Sequence, residues 1–199
     1  MTQKKNIVGI AFVALAVAGG VDAVLNLSAG NSGETAKQDA KDSRVERGRY
    51  LVTYGGCNDC HTPKKMTERG PVDDEARRLS GHPAEAKLPA PPALVNTPWF
   101  ASTAGLTAWS GPWGITYSAN LTPDKNTGLG IWTEEMFVKA MRTGKHMGDG
   151  RPILPPMPWQ AVSVLTDDDL KSVFAYLRSL PPVSNRVPEA IGPDGKAFE

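Results

Sequence analysis

The five residues Cys57-Asn58-Asp59-Cys60-His61 constrain this 199-residue chain more than any other stretch. C-x-x-C-H is the attachment signature of a c-type haem. The spacing follows from the chemistry. Two thiols add across the two vinyl groups on one porphyrin edge, and the next residue places its imidazole beneath the iron. Cys57 and Cys60 are therefore expected to carry the thioether bonds. His61 is expected to be the proximal ligand, since a neutral imidazole nitrogen is a good haem-iron ligand. A thioredoxin-like dithiol would need a strand before the motif and a helix after it. Here the preceding segment reads as a helix, and Pro63 follows almost at once. A zinc site would need a second C-x-x-C or an H-x-x-x-H pair, and the chain has neither. The haem would use both of the 2 cysteines, so no structural disulfide is expected.

Charge and composition narrow the class further. A net charge of +1, without a basic stripe carrying interleaved aromatics, gives no footprint for nucleic acid. The 20 glycines and 17 prolines predict a loop-rich fold. A haem-centred protein tolerates this, because the porphyrin is itself a large apolar core element.

The chain opens with an address. Lys4 and Lys5 precede an apolar run from Ile7 to Val17, closed by Gly19-Gly20, as in a signal peptide. Val21-Asp22-Ala23 has small or compatible residues where a signal peptidase reads. The alternative is an uncleaved anchor over residues 7–27, which as a helix would span roughly 31 Å. Asp22 argues against it, since a central Asp costs about 2.5–3.5 kcal/mol on insertion scales. Both alternatives stay open, and both deliver the chain to the bacterial periplasm, soluble or tethered to the inner membrane. Residues 28–43 read as a polar linker, residues 44–182 as one domain, and residues 183–199 as a tail without periodicity.

Within the domain, Ser43 is expected to cap a first helix to Tyr54, with Glu46 completing the capping box. Gly48 lies on the apolar stripe of that helix, which predicts close approach of another helix. Residues 62–117 hold eight prolines and read as a long loop belted over the core, with Trp99, Trp109 and Trp113 packed into it. Thr133 is expected to cap a helix of roughly ten residues buried through Met136, Phe137, Ala140 and Met141, with Gly144 as its stop. Thr166 is expected to cap the last helix, whose first turn carries Asp167, Asp168 and Asp169. Its face is Leu170, Val173, Phe174 and Leu177, and Phe174 and Leu177 are expected to cross the first helix at Gly48.

Between those two helices lies Arg151-Pro152-Ile153-Leu154-Pro155-Pro156-Met157-Pro158-Trp159. Prolines fix φ, so a thioether between them can be held over an iron at low entropic cost. Met157 is thus the candidate sixth ligand. His82, His146 and Met147 are its rivals, while Met136 and Met141 belong to a helix stripe. Lys139, Arg142, Lys145 and Arg151 could form a docking rim for an acidic partner or be an ordinary solvated charge run.

The order of these parts resembles class I cytochromes c over about residues 44–182. Five stretches are similar to the haem domains of cytochrome c subunits of periplasmic alcohol, aldehyde and sugar-acid dehydrogenases. They are Arg47-Gly48-Arg49-Tyr50-Leu51-Val52, Asn120-Leu121-Thr122-Pro123-Asp124, Thr127-Gly128-Leu129-Gly130-Ile131-Trp132, Met157-Pro158-Trp159 and Leu165-Thr166-Asp167-Asp168-Asp169-Leu170. The resemblance implies a mainly α cytochrome c fold, with few helices around one covalently bound haem c and a long loop-rich insertion. It implies His61/Met157 ligation of the haem iron and transfer of single electrons in a periplasmic respiratory chain. The carrier would be free or a non-catalytic subunit, and its partners a dehydrogenase, an oxidase or another cytochrome. The competing expectation is a haem enzyme or gas sensor with an open sixth position.

Overall fold

The termini of the helices follow the caps written in the sequence. Thr133 accepts a hydrogen bond from the Met136 amide and opens α3 (Glu134–Thr143), which Gly144 ends in the left-handed conformation at φ 65°. Thr166 accepts from the Asp169 amide and opens α5 (Asp167–Ser179). Each cap satisfies an amide that the first turn of a helix leaves without a partner. The computed structural model describes residues 21–91, 94 and 97–198, with side chains described from residue 33 onward. The remaining elements are α1 (Val21–Tyr54), α2 (Cys57–His61), β1 (Lys64–Thr67), β2 (Gly70–Asp73), β3 (Ala101–Ser102), β4 (Ala108–Gly111), β5 (Gly114–Tyr117) and α4 (Trp159–Val162). The described chain is mainly α.

The chain divides into two units, residues 1–40 and 41–199. The expected signal peptide or anchor over residues 1–27 lies outside the described residues up to position 20, and only its last part enters α1. No described helix is long and apolar enough to cross a membrane. Residues 33–40 are helical and exposed. The expected polar linker is therefore helix along its length, and Ser43 is an interior residue of α1 rather than its cap. Glu34, Ala36, Lys37, Gln38, Ala40 and Lys41 are good helix formers, and no proline interrupts them.

In the second unit, Val52, Phe137, Leu170, Val173, Phe174 and Leu177 form the centre of one apolar core, together with buried Leu79 and Leu129. Phe137 of α3 and Phe174 of α5 meet with ring centroids 5.2 Å apart. Met141 belongs to this core, whereas Met136 is only half-buried. Gly48 is the close contact between α1 and α5, as its place on the stripe predicted. The residues it meets differ from the expectation, however. A Cβ at Gly48 would run into the Ser172 carbonyl oxygen and lie 2.8 Å from the Tyr176 Cβ. Ser172 and Tyr176 are one turn apart, and Phe174 is turned away toward Phe137. Arg47 seals the same crossing by donating to Asp169 at 2.8 Å.

The stretch after His61 is more ordered than a belt of loop. β1 and β2 form an antiparallel hairpin, and β3, β4 and β5 a three-stranded antiparallel sheet in that order. The tryptophans are not all packed inward. Trp99 is 73% exposed, while Trp109 and Trp113 are half-buried around Phe100. The tail is also fastened. Ile191 pairs with Ile115, and the buried Asn185 side chain donates to the Ser80 and His82 carbonyls and accepts from the Ala84 amide.

Gly48→Ala should lower stability by about 1–3 kcal/mol, the cost of overpacking a closed contact. An exposed helical glycine would instead gain about 1 kcal/mol from the same change. Denaturant unfolding of the two proteins side by side decides, and a more stable alanine variant would mean that the helices do not meet at Gly48.

Candidate functional site

The motif residues form one helical turn, α2. Gly55-Gly56 separates it from α1, and Gly56 makes the bend at φ 66°, a left-handed conformation that glycine takes at no steric cost. The turn is closed by the Asp59 amide donating to the Gly56 carbonyl and the Thr62 amide donating to the Asn58 carbonyl, both at 3.0 Å. Positions three apart lie on one side of such a turn. Cys57 and Cys60 are thus side by side as free, half-buried thiols. Burial pushes both thiols above their ordinary pKa, so both are held protonated. Among the described residues, no three His, Cys, Asp or Glu side chains gather as a metal-binding cluster.

His61 is 8% exposed, and its Nδ1 lies 2.8 Å from the Ala119 carbonyl oxygen. A carbonyl can only accept, so Nδ1 carries the proton. Burial lowers the imidazole pKa, outweighing the pull of the Ala119 hydrogen bond in the other direction. The ring is therefore neutral, and its Nε2 presents a lone pair. That is the tautomer and the second-nitrogen hydrogen bond that a metal-ligating histidine needs.

Residues 79–82 hold this arrangement together. The Leu79 amide donates to the Thr62 hydroxyl at 3.1 Å, and the Gly81 amide donates to the His61 carbonyl at 2.8 Å. On the other side, the Leu79 carbonyl accepts from Leu121, and the His82 amide donates to Ser118. Gly81, at φ 81°, permits the close approach, because a Cβ there would meet the Ser118 and Ala119 backbone. This segment lies within residues 62–117, expected as loop, and the glycine at position 81 is a local signal that could mark it.

Met157 sits on a separate loop. Its amide donates to the Leu154 carbonyl at 3.3 Å, and its carbonyl accepts from Trp159 at 2.9 Å. A cavity of about 260 Å³ lies against this loop, lined by Ile153, Pro155, Pro156, Met157, Pro158, Trp159 and Gln160. Trp159 packs over Gly144 at the end of α3, and the Ile153 amide donates to the Gly144 carbonyl at 2.7 Å. The Thr116 hydroxyl of β5 donates to the Pro155 carbonyl at 2.7 Å. Thr116 and Ala119 are three residues apart, a reach of at most about 11 Å. One short stretch, Thr116 to Ala119, thus holds the Met157 loop at one end and the His61 ring at the other.

The rival ligands are otherwise placed. His82 is buried with its Nδ1 2.9 Å from the Thr107 hydroxyl. His146 is exposed and edge-on to Trp132, at 5.0 Å between centroids. Met147 follows it in a left-handed conformation at φ 54°. Of the four cations that could form a docking rim or a solvated charge run, Lys139 pairs with Asp149 at 3.4 Å and Arg142 with Asp167 at 2.6 Å, so half of their charge is offset locally.

The donor set therefore fits a c-type haem: two thiols on one helical turn, a neutral imidazole with Nε2 available, and a methionine loop fastened at Thr116, three residues before the carbonyl that holds the imidazole. Comparison with known proteins gives the class. The chain is a homologue of the cytochrome c subunits of dehydrogenases. It is 31% identical to the gluconate 2-dehydrogenase cytochrome c subunit of Pantoea cypripedii over 183 residues, 82% of this chain and 34% of that one. It is 29% identical to the cytochrome c subunit of the quinone alcohol dehydrogenase of Gluconobacter oxydans (strain 621H) over 174 residues, 86% of this chain and 29% of that one. A 74-residue stretch is 47% identical to the fructose dehydrogenase cytochrome subunit of Gluconobacter japonicus, covering 37% of this chain and 15% of that one. The chain spans about a third or less of the length of these relatives. No family model matches it.

Burial holds the His82 imidazole below its ordinary value, although Glu85 pulls it upward. As pH falls the unfolded chain takes up this proton first. The stability His82 lends is thus complete above about pH 6.5 and is lost as pH falls through the folded pKa. The stability difference between wild type and His82→Gln should be greatest at about pH 8 and shrink toward about pH 5. A difference that grows in acid would contradict a neutral, buried His82.

Proposed function

We propose that this chain is a monohaem c-type cytochrome, with haem c bound through thioethers to Cys57 and Cys60 and its iron held between His61 and Met157. It carries single electrons in the bacterial periplasm, either free or as a non-catalytic subunit of a dehydrogenase, with the dehydrogenase, an oxidase or another cytochrome as redox partner. The observation that carries this reading is the neutral His61 ring, pinned at Nδ1 by Ala119, three residues after the Thr116 that fastens the Met157 loop. The crossing of α1 and α5 at Gly48, followed in the chain by the motif turn and the methionine loop, supports a cytochrome c fold. The names of the relatives support a dehydrogenase partner.

When bound, haem supplies a one-electron ferric/ferrous couple. The protein's contribution is to hold its ligands through that change. Ala119 fixes the plane and tautomer of His61, so the ring needs no reorientation. Thr116 and the prolines around Met157 restrict that loop. A neutral thioether as the second protein ligand would favour the reduced state more than a second imidazole would. With both His61 and Met157 holding the group, substrate would find no open position, and electron transfer is the chemistry that would follow.

The test is the absorption spectrum of purified, haem-loaded protein, oxidised and reduced, with and without carbon monoxide, beside Met157→Ala. The expected wild type is low-spin, indifferent to carbon monoxide, with a weak sulfur-to-iron band that vanishes in the variant. A high-spin wild type that binds carbon monoxide would favour a haem enzyme or gas sensor with an open sixth position. Cys57→Ser with Cys60→Ser should release the haem to organic extraction, and retention would overturn the thioether assignment.

A further inference from the structure

Lys64 reaches back into the motif turn. It opens β1, and its cross-strand partner on β2 is Asp73. Its side chain is only 10% exposed. The stem is covered by the backbone at Gly105, where a Cβ would come 3.7 Å from the Lys64 Cγ. The ammonium donates to Asp73 Oδ1 at 2.6 Å and to the Asn58 carbonyl at 3.1 Å. Asn58 stands between the two cysteines, so a buried cation is held against the backbone of the turn that carries both thiols.

Closure of the turn does not require this cation. The Asn58 carbonyl already accepts from the Thr62 amide. Burying an ammonium is costly unless it is paired, and here Asp73 offsets that cost. The pair places positive charge on the motif side and negative charge on the hairpin side, where Asp73 is 35% exposed. A fixed cation favours the state of a neighbouring redox centre that holds the extra electron, and a fixed anion disfavours it.

We propose that Lys64 and Asp73 are an electrostatic pair that sets the reduction potential of the haem attached at Cys57 and Cys60, Lys64 raising it and Asp73 lowering it. The inference rests on the haem-binding function proposed above. Both are positioning residues, acting through the field and through the Asn58 carbonyl rather than by touching iron.

The experiment is a mediated redox titration of the haem-loaded full chain, followed by absorbance. One electron passes from the mediator to each protein and no atom is transferred. Lys64→Gln should shift the equilibrium toward the oxidised form by roughly three- to tenfold, a tenfold change being about 59 mV for one electron. Asp73→Asn should shift it toward the reduced form by a comparable factor. Lys64→Arg should stay near wild type, and the double variant Lys64→Gln/Asp73→Asn should return toward it. A loosened turn would instead admit water and move every variant toward the oxidised form. Shifts of the same sign, or no shift in Asp73→Asn, overturn the pair. If Lys64→Gln does not retain haem, the sign of the Asp73→Asn shift decides alone. The wild-type spectrum is read first, so that a failure of the haem assignment is told apart from a failure of the pair. Without a low-spin c-type spectrum the assignment falls, and with it but with like-signed shifts only the pair falls.

Discussion

The hydrogen bond from His61 Nδ1–H to the Ala119 carbonyl is the contact on which the site depends. A ligand histidine must be neutral, in one tautomer and in one orientation, and a single buried carbonyl acceptor supplies all three. Ala119 can serve only if its backbone is brought to a helical turn 58 residues earlier in the chain. Residues 79–82 do this by bonding to His61 and Thr62 on one side and to Ser118 and Leu121 on the other. Gly81 lets the backbones approach. The long segment between the motif and Asn120 is thus a set of fasteners around the imidazole.

The C-terminal tail extends the same logic. The Asn120 amide group donates to the Val183 carbonyl at 2.8 Å, and its oxygen accepts from the Thr122 amide at 3.0 Å. Asn185 is bonded to Ser80, His82 and Ala84. These buried amides satisfy backbone groups that a strand-poor segment would otherwise leave unpaired, a cost of roughly 1–3 kcal/mol each. The apolar core of α1, α3 and α5 carries the folding energy, while the polar clasps decide where Ala119 and the Met157 loop stand.

What was legible in the sequence was what is local. Thr133, Gly144 and Thr166 act on amides and carbonyls a few residues away, and their caps stand where pattern placed them. The motif turn and the small residue at Gly48 were legible for the same reason, since each states a steric or chemical requirement by itself. The cap at Ser43 misled because residues 33–44 are solvated on nearly every side. With no apolar face there was no periodicity to extend the helix N-terminally, and propensity alone decided. The strands β3 to β5 are two to four residues long, too short for an alternation to register among prolines and glycines. The partners of the Asn185 side chain lie 101 to 105 residues away, and no local pattern announces such bonds.

The same contrast explains why the hairpin of β1 and β2 exists where it does. A cation at the C-terminal carbonyls of a helical turn is favourable, but a lysine buried there without an anion would be strongly unfavourable. Asp73 must therefore arrive beside Lys64, and a tight antiparallel register brings position 73 opposite position 64 with a turn at residues 68 and 69. Asp74, next in the chain, then pairs with Lys65 and Arg77, which ties the end of the hairpin to the segment that leads to Leu79 and Gly81. The charges after the motif are arranged in register, each pair securing the next contact along the path from Asn58 to Ala119. Residues 62–117 are in this sense part of the site, since the atoms that orient His61 and neutralise Lys64 come from that segment or from its end.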